Sequence, residues 1–284
     1  MNNNNKVFAQ GWRDYELIDA GGGKKLERWG DIITIRPELQ AYFKSGLSFV
    51  EWYNLAHWEF TEKKGQSGNW KSLQPAPQQW QITYKNIHFN LELTKFKHLG
   101  LFPEQQLNWE KLKDCVTPDS RFLNLFAYTG AASIIAKSLG ADVTHVDSVK
   151  QLISWSKRNM ESSELEDIRW IHDDAFKFAK RQKNKGAKFD VIVMDPPAWG
   201  IGANKEKWKL ETHLPQLMEV AFDILENDGW LIVNTYSPKI NTEDLFKIAN
   251  KFFSPDQIDV NELWMKTYSK KDLFFGCLLH AKKG

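Results

Sequence analysis

The pattern of hydrophobic and polar positions changes near residue 118. Beyond that point, short apolar runs alternate with segments of helical periodicity, which is typical of βαβ units around a parallel sheet. The apolar runs predict strands at 121–127, 141–147, 168–173, 189–195, 229–236, 257–266 and 272–281. The segments between them predict helices at 131–139, 149–161, 174–183, 213–226 and 241–253.

The last two predicted strands have no helix between them. A short loop joins only antiparallel strands, because a parallel connection needs a crossover of about a dozen residues or more. We therefore predict an α/β fold in which a mostly parallel sheet finishes with a reversed strand.

Residues 1–117 show a different pattern, with period-two alternation at 31–37 (DIITIRP) and again in WQITY and IHFNLEL. The segment 61–79 is polar and rich in Gly, Pro, Gln and Lys, which predicts a loop or flap. Pro103 suits the first turn of a helix that we expect to reach Lys113. We predict a small β-rich domain with a connecting helix over 1–117 and the α/β domain over 118–284.

The composition bears on whether the chain is a disulfide-rich, membrane or metal-binding protein. The chain has 42% hydrophobic residues, a formal net charge of +2 and only two cysteines, which are too few for a disulfide framework. It has no apolar stretch long enough to span a membrane and no metal-ligand spacing among its histidines. We expect a cytoplasmic protein without membrane or metal. The weak positive charge permits a nucleic-acid partner without requiring one.

Polar residues follow four of the predicted strands. The turn Phe126–Ser133 follows the first, Asp147 ends the second, Asp174 comes after the third, and Asp195 closes the fourth. The carboxyl ends of parallel strands share one rim, where open α/β sheets bind ligands at the point of strand-order reversal. The sequence thus predicts a nucleotide-like cofactor site beside a reaction site.

The first turn indicates which cofactor. A dinucleotide-binding turn needs G-x-G-x-x-G, whereas this one has the single glycine Gly130. It suits a ligand without phosphate, such as S-adenosylmethionine (SAM). Asp147 is placed to accept hydrogen bonds from ribose hydroxyls, and Asp174 from the adenine amine. We predict cofactor contacts from Phe126, Ala127, Tyr128, Thr129, Gly130, Ser133, Asp147, Asp174 and Ala175, with Phe176 beside the adenine ring.

The run Asp195–Pro196–Pro197 is the predicted reaction site. The prolines remove backbone donors, so the Pro196 carbonyl and the Asp195 carboxylate remain as acceptors facing the rim. These acceptors, next to a sulfonium methyl group, are suited to binding an amino or ring nitrogen of a nucleic-acid base. Trp199 is the predicted stacking partner for that base.

The motifs LNLFAYTGAAS, THVD, DDAF and DPPAWG together resemble class I SAM-dependent methyltransferases. They are most similar to the bacterial group that contains large-subunit ribosomal RNA cytosine methyltransferases, over residues 85–281. The resemblance implies a seven-stranded methyltransferase sheet and ribosomal RNA as partner. The stretch from Leu99 to Gln105 resembles that group's Gly-x-Phe-x-x-Gln motif, so Phe102 and Gln105 become candidate cofactor contacts.

One departure from that group bears on the chemistry. Its members carry a nucleophilic Cys after the fifth strand, where this chain reads Val233–Pro238 without a cysteine. Cys115 and Cys277 fit inert, buried positions better. Nitrogen methylation at Asp195 is therefore at least as consistent with the sequence as carbon-5 methylation, with Tyr236 and Ser237 shaping the acceptor pocket.

Three other functions stay open at this point. A methyltransferase acting on a protein or small molecule is compatible with the even charge distribution. A nicotinamide-dependent dehydrogenase shares the parallel sheet but lacks its glycine fingerprint. A binding module without turnover is possible if the acceptor pocket is closed.

Overall fold

The computed structural model describes residues 5–63, 67–201, 207–237 and 239–284. The chain divides into two compact units. The larger consists of Met1–Val7, Leu107–Leu263 and Gly276–Gly284, and the smaller of Phe8–Gln106 and Trp264–Phe275. A domain boundary at residue 117 stays a prediction.

The first hundred residues are mainly β-structure. Their elements are β1 (Asn5–Ala9), β2 (Tyr15–Gly21), β3 (Lys24–Trp29), β4 (Ile32–Pro37), α1 (Phe49–Leu55), β5 (Trp58–Glu62), β6 (Gly68–Ser72), β7 (Gln79–Tyr84) and β8 (Ile87–Glu92). Five of these strands form a sheet in the order β2-β3-β4-β5-β6, and β7 pairs with β8. The predicted strands at DIITIRP, WQITY and IHFNLEL correspond to β4, β7 and β8.

Two elements of this region differ from the sequence-based expectation. The prediction of a loop over 61–79 is wrong for Gly68–Ser72, which forms strand β6. This strand pairs antiparallel with β5, and Trp70 lies opposite Phe60. Helix α1 was not predicted. A capping box between Ser48 and Glu51 starts it, and Trp52 is its buried residue.

A buried ion pair organises the smaller unit. Arg36 donates two hydrogen bonds of 2.7 Å to the carboxylate of Glu27, which also accepts one of 2.9 Å from the Tyr15 hydroxyl. Glu27 is fully buried, yet the charges of Arg36 and Lys25 outweigh the desolvation that opposes ionisation and hold its pKa at about 2. These strands are thus joined by charge as well as by apolar packing.

The remaining elements alternate as predicted, except for two short strands at Trp199–Ile201 and Lys207–Lys209 that were not predicted. They are α2 (Gln106–Cys115), β9 (Arg121–Leu125), α3 (Ala131–Ser138), β10 (Asp142–Asp147), α4 (Lys150–Ser162), β11 (Ile168–His172), α5 (Ala175–Asn184), β12 (Phe189–Met194), β13 (Trp199–Ile201), β14 (Lys207–Lys209), α6 (Leu210–Ile224), β15 (Leu225–Thr235), α7 (Thr242–Ala249), β16 (Ile258–Lys266) and β17 (Asp272–Lys282). A 3₁₀ turn at Pro103–Gln105 precedes α2.

The large sheet has the order β1-β16-β17-β15-β12-β9-β10-β11. Strands β9, β10, β11, β12 and β15 run parallel, and β17 is antiparallel to β15. The predicted Rossmann-like methyltransferase sheet with a reversed last strand is therefore confirmed. Within the described residues it has eight strands, one more than predicted, because β1 joins its edge.

Chain order reverses between β9 and β12. From β9 the chain continues to β10 and β11 on one side, then returns to β12 on the other. This is the switch point at which α/β sheets bind ligands, and the predicted motifs follow the strands on both sides of it.

In the part of the chain that the structure describes, no helix has the length and apolar character needed to cross a membrane. The same residues bring together no group of three His, Cys, Asp or Glu side chains that could hold a metal ion.

Candidate cofactor and acceptor site

The turn after β9 has an unusual backbone. Phe126 and Tyr128 have φ angles of 57° and 52°, and Gly130, before α3, has 86°. Left-handed conformations are costly for residues with a Cβ atom, so the surroundings must hold this turn in place. The amide of Ala127 donates to the Val146 carbonyl at 3.1 Å, which fastens the turn to β10.

Asp147 fixes the turn from the end of β10. Its two carboxylate oxygens accept hydrogen bonds from the amides of Tyr128 at 2.9 Å and Val149 at 2.8 Å. Burial raises the pKa of Asp147 although these amides oppose the shift. Each oxygen keeps a further lone pair, so the carboxylate retains capacity for ribose hydroxyls.

Asp174 is the N-cap of α5, and one of its carboxylate oxygens accepts a hydrogen bond from the Lys177 amide at 2.8 Å. The capping role occupies one oxygen, and the second can still accept from an adenine amine. Ala175 follows in a buried position. The adenine contact of Asp174 stays a prediction.

Strand β12 delivers the Asp-Pro-Pro segment beside the cofactor turn. Met194 pairs with Leu125 in the sheet, and the Asp195 amide donates to the Leu125 carbonyl at 3.4 Å. Asp195 therefore follows the end of β12 at the position where Phe126 follows the end of the neighbouring strand β9. Pro196 is buried and Pro197 is exposed. The sheet thus brings the predicted donor and acceptor motifs together at one switch point.

Trp208 joins these motifs, and the sequence analysis missed it. Its indole nitrogen donates to the Pro197 carbonyl at 2.6 Å. Its ring lies 5.4 Å from the Phe126 ring, 6.2 Å from that of Phe176, and stacks on His213 at 4.9 Å. The only sequence feature that could have identified Trp208 as a site residue is its position as an aromatic residue within the charged run NKEKWKL.

The residues predicted to contact the acceptor differ in their surroundings. Trp199 is 59% exposed and pairs with Lys209 across the β13–β14 hairpin. Ser237 is buried after β15, and its hydroxyl donates to Glu211 of α6 at 3.3 Å. Tyr236, between β15 and Ser237, is partly buried. Their contacts with an acceptor remain predictions.

Comparison with known proteins agrees with this geometry. The family model described as conserved hypothetical protein 95 matches residues 104–250, which is just over half of the chain. The chain belongs to this family. The match includes the cofactor turn, Asp147, Asp174 and the Asp-Pro-Pro segment.

A solved structure from Agrobacterium tumefaciens, described as a SAM-dependent methyltransferase, is similar to this family member along its whole length. The two are 31% identical with a TM-score of 0.90, over 99% of this chain and 94% of the other. The predicted class of enzyme, a SAM-dependent methyltransferase, and its cofactor are thereby confirmed. A methyltransferase complexed with SAH shares the fold at 22% identity and a TM-score of 0.74, covering 92% of this chain and 72% of that one.

A curated relative bears a name that refers to RNA. The ribosomal RNA large subunit methyltransferase K of Neisseria meningitidis serogroup B is 29% identical over 171 residues. The match covers 58% of this family member but 47% of the relative, so the chain spans about half the length of that protein.

Phe102 and Gln105 belong to the smaller unit. The Phe102 ring lies 5.2 Å from that of His98, and Gln105 ends the 3₁₀ turn. Their predicted cofactor contacts stay predictions.

A basic run lies along and after α5, and three of its cations make contacts within the fold. The run consists of Lys177, Lys180, Arg181, Lys183, Lys185 and Lys188. Arg181 pairs with Asp173, and Lys183 lies 2.5 Å from the carboxylate of Asp223. Lys188 donates to the Asp223 carbonyl at 2.6 Å. These charges are engaged within the fold, which fits a solvated helix face better than a phosphate track.

Proposed function

We propose that this chain transfers the methyl group of SAM to a base nitrogen of RNA, and specifically of large-subunit ribosomal RNA. The observation that carries the proposal is the hydrogen bond from Asp195 to Leu125, which sets the acceptor motif beside the cofactor turn. The name of the Neisseria relative supports RNA as the substrate class. Ribosomal RNA as substrate also supports the cytoplasm as the compartment.

The chain's own residues supply the cofactor site. When bound, SAM provides an electrophilic methyl group on a sulfonium. We assign the ribose hydroxyls to the Asp147 carboxylate and the adenine amine to the free oxygen of Asp174. The backbone groups of the turn between Phe126 and Gly130 are available for the methionine ammonium and carboxylate.

Asp195 and Pro196 orient the acceptor. Their carboxylate and carbonyl oxygens accept hydrogen bonds from an amino group, which leaves the nitrogen lone pair directed at the methyl carbon. Bound SAM would supply the methyl carbon, with a nitrogen–carbon bond forming as the sulfur–carbon bond breaks and the neutral thioether leaving. The Asp195 carboxylate would take the displaced proton and pass it to water. The rate enhancement arises from the positioning of the acceptor nitrogen and from the negative charge of Asp195 beside that nitrogen, which becomes positive during transfer.

The two cysteines support nitrogen rather than carbon-5 methylation. Carbon-5 chemistry needs a thiolate that attacks the ring. Burial raises the pKa of Cys115 and of Cys277 to about 12, so both stay protonated at neutral pH. The Cys277 thiol also faces the Ile240 carbonyl at 3.7 Å within the core.

The test is methyl transfer to ribosomal RNA from a strain that lacks this protein. Wild-type protein with labelled SAM should label that RNA, and nucleoside mass spectrometry should place the methyl group on a base nitrogen. Asp195→Asn should lower kcat by about a hundredfold or more while leaving SAH affinity within about twofold.

RNA from the parent strain, whose site is already methylated, is the control and should accept no label. Label in protein and not in RNA would contradict the substrate assignment. Label on carbon 5 of a pyrimidine would contradict the nitrogen assignment, and full activity of Asp195→Asn would remove Asp195 from the reaction.

A further inference from the structure

Beneath the cofactor turn, four buried side chains form a continuous hydrogen-bonded series. Asn124 donates from its amide nitrogen to the Ser133 hydroxyl at 2.9 Å, and that hydroxyl lies 3.0 Å from Nδ1 of His145. Nε2 of His145 lies 3.5 Å from the Ser156 hydroxyl, which lies 3.0 Å from the Tyr128 carbonyl. The series therefore ends on the turn itself.

The donors and acceptors allow one continuous direction along this series. The Asn124 amide nitrogen only donates, so the Ser133 oxygen accepts there and has its own proton available for Nδ1 of His145. The ring then carries its proton on Nε2, facing Ser156. Burial lowers the pKa of His145 to about 3, which keeps the ring neutral, so that one ring nitrogen donates and the other accepts. The carbonyls of Tyr128 at 3.0 Å and Leu152 at 2.9 Å share the single proton of the Ser156 hydroxyl.

The turn needs such support because of its backbone conformation. Tyr128 has a positive φ of 52°, which persists in a non-glycine residue only where neighbours hold it. Its amide is held by Asp147 at 2.9 Å and its carbonyl by Ser156 at 3.0 Å. Asn159 adds a bond of 3.0 Å to the carbonyl of Thr129.

We propose that Ser133, His145 and Ser156 are positioning residues that orient the peptide groups of Tyr128 for cofactor binding. The proposal rests on the cofactor site assigned above and extends it to side chains that are buried beneath the turn. It also gives Ser133 a role beneath the turn, since its hydroxyl is engaged with Asn124 and His145.

The first test is SAH binding by calorimetry to Ser156→Ala. We expect affinity to fall about tenfold, the size of one lost buried hydrogen bond. Ser154→Ala is the matched control, because Ser154 lies on the same helix and donates to the Lys150 carbonyl at 3.2 Å, as Ser156 does to Leu152 at 2.9 Å. The control should bind SAH like wild type.

The second test distinguishes a connected series from separate supports. Ser133→Ala should weaken SAH binding, and the double variant with Ser156→Ala should lose little more than either single variant, because both break one series. Melting curves show whether each variant is folded. Additive losses, or wild-type affinity in Ser156→Ala, would overturn the proposal. Wild-type protein that fails to bind SAH would overturn the cofactor site as well.

A separate observation concerns the smaller unit, where two exposed tyrosines stand on segments that are tied to one buried carboxylate. Tyr42 is 85% exposed and Tyr268 is 78% exposed. The Asp19 carboxylate links the segments that carry them, because it accepts from the Leu47 amide at 2.7 Å and from the Ser269 hydroxyl. The two tyrosines thus stand on segments with a common anchor.

Lysines lie on the same two segments. The Lys271 ammonium lies 5.8 Å from the ring of Phe43, which lies 6.0 Å from that of Tyr42. Lys44 and Lys270 are exposed on the same two segments. We call the set of Tyr42, Lys44, Tyr268, Lys270 and Lys271 the tyrosine surface.

We infer that the tyrosine surface binds a single-stranded segment of the RNA substrate, an inference that rests on the proposed function. Exposed aromatic faces stack on unpaired bases, and adjacent ammonium groups neutralise phosphates. The three ammonium groups of the set favour a polyanion such as RNA over a basic or purely apolar partner.

Fluorescence anisotropy with a labelled single-stranded RNA oligonucleotide tests this inference. Tyr42→Ala and Tyr268→Ala should each weaken binding by about fivefold or more. Leu39→Ala is the matched control, since Leu39 is 86% exposed and apolar but has no ring. Lys270→Ala should flatten the salt dependence of binding by about 0.7 in slope.

Wild-type affinity in both tyrosine variants would overturn the tyrosine surface while leaving the proposed function intact. Failure of the wild-type protein to bind or methylate RNA would instead overturn the proposed function together with this surface.

Discussion

At the scale of single residues, Asp147 serves both the fold and the proposed site. It joins the turn after β9 to the start of α4 through the amides of Tyr128 and Val149. The two amides oppose the rise in the pKa of Asp147 that burial causes, and the same geometry leaves lone pairs for a ligand.

Replacing Asp147 by Asn tests this double role. The amide keeps the size of the side chain but loses the charge and one acceptor, so we expect SAH affinity to fall by about tenfold or more. Calorimetry measures the change, and kcat at saturating SAM should change much less. A variant with unchanged affinity would show that Asp147 does not contact the cofactor.

Glu104 predicts a pH dependence of stability. Burial raises the pKa of this carboxyl from its ordinary value of 4.5 to about 7. The folded state therefore binds more protons than the unfolded state between these values, and the stabilisation from Glu104 is lost as pH rises through about 7.

Glu104→Gln should abolish this dependence. We expect the variant to exceed wild type in free energy of unfolding by about 1 to 3 kcal/mol at about pH 8, and not at about pH 5. Urea denaturation at the two pH values measures the difference. The pKa values of His98, His145 and His280 fall from 6.5 to about 3, about 3 and about 4 on folding, so these groups also change stability between about pH 5 and 6.5. Comparing the variant with wild type at each pH cancels their contribution. An equal gain at both values would contradict the assignment.

At the scale of elements, the cofactor turn depends on one close approach. A Cβ atom on Gly130 would lie 3.0 Å from the Ser156 side chain, and the residue has a φ of 86°. Glycine removes both the strain and the contact, which allows α4 to pack beneath the turn.

Gly130→Ala should therefore destabilise the fold by more than the backbone strain of a positive φ angle would, because the added Cβ atom also meets Ser156. We expect a loss of about 2 kcal/mol or more in stability together with weaker SAH binding. Gly186→Ala is the matched control, because Gly186 also has a positive φ of 66° but nothing within 4 Å of the added Cβ. Denaturation and calorimetry on both variants test this, and equal effects in the two would contradict it.

The elements of the larger unit were predictable because each carries its own local signal. Apolar runs ended by Asp147 and by Asp195 identified buried strands and their carboxyl ends. Helix α1 and strand β6 were missed for different reasons. Aromatic residues obscured the helical period of α1, and β6 is a polar edge strand that depends on its partner β5.

The candidate site was predictable where its residues follow strands directly. Its supporting residues were not. His145 and Ser156 lie within a strand and a helix, so only the folded sheet brings them under the turn. Trp208 reaches Pro197 from a hairpin, and the isolated aromatic residue in a charged run does not indicate that contact.

At the scale of the whole molecule, the order of strands creates the site. Reversal between β9 and β12 places the cofactor turn and the Asp-Pro-Pro segment side by side although about 70 residues separate them in sequence. The central claim is that SAM binds across the ends of β9, β10 and β11 and directs its methyl group at Asp195.

A crystal structure of the protein with SAH tests this claim most directly. We predict ribose hydroxyls within about 3 Å of the Asp147 carboxylate and the sulfur atom facing the segment from Asp195 to Pro197. SAH bound away from the switch point, or with its sulfur turned from Asp195, would contradict the account.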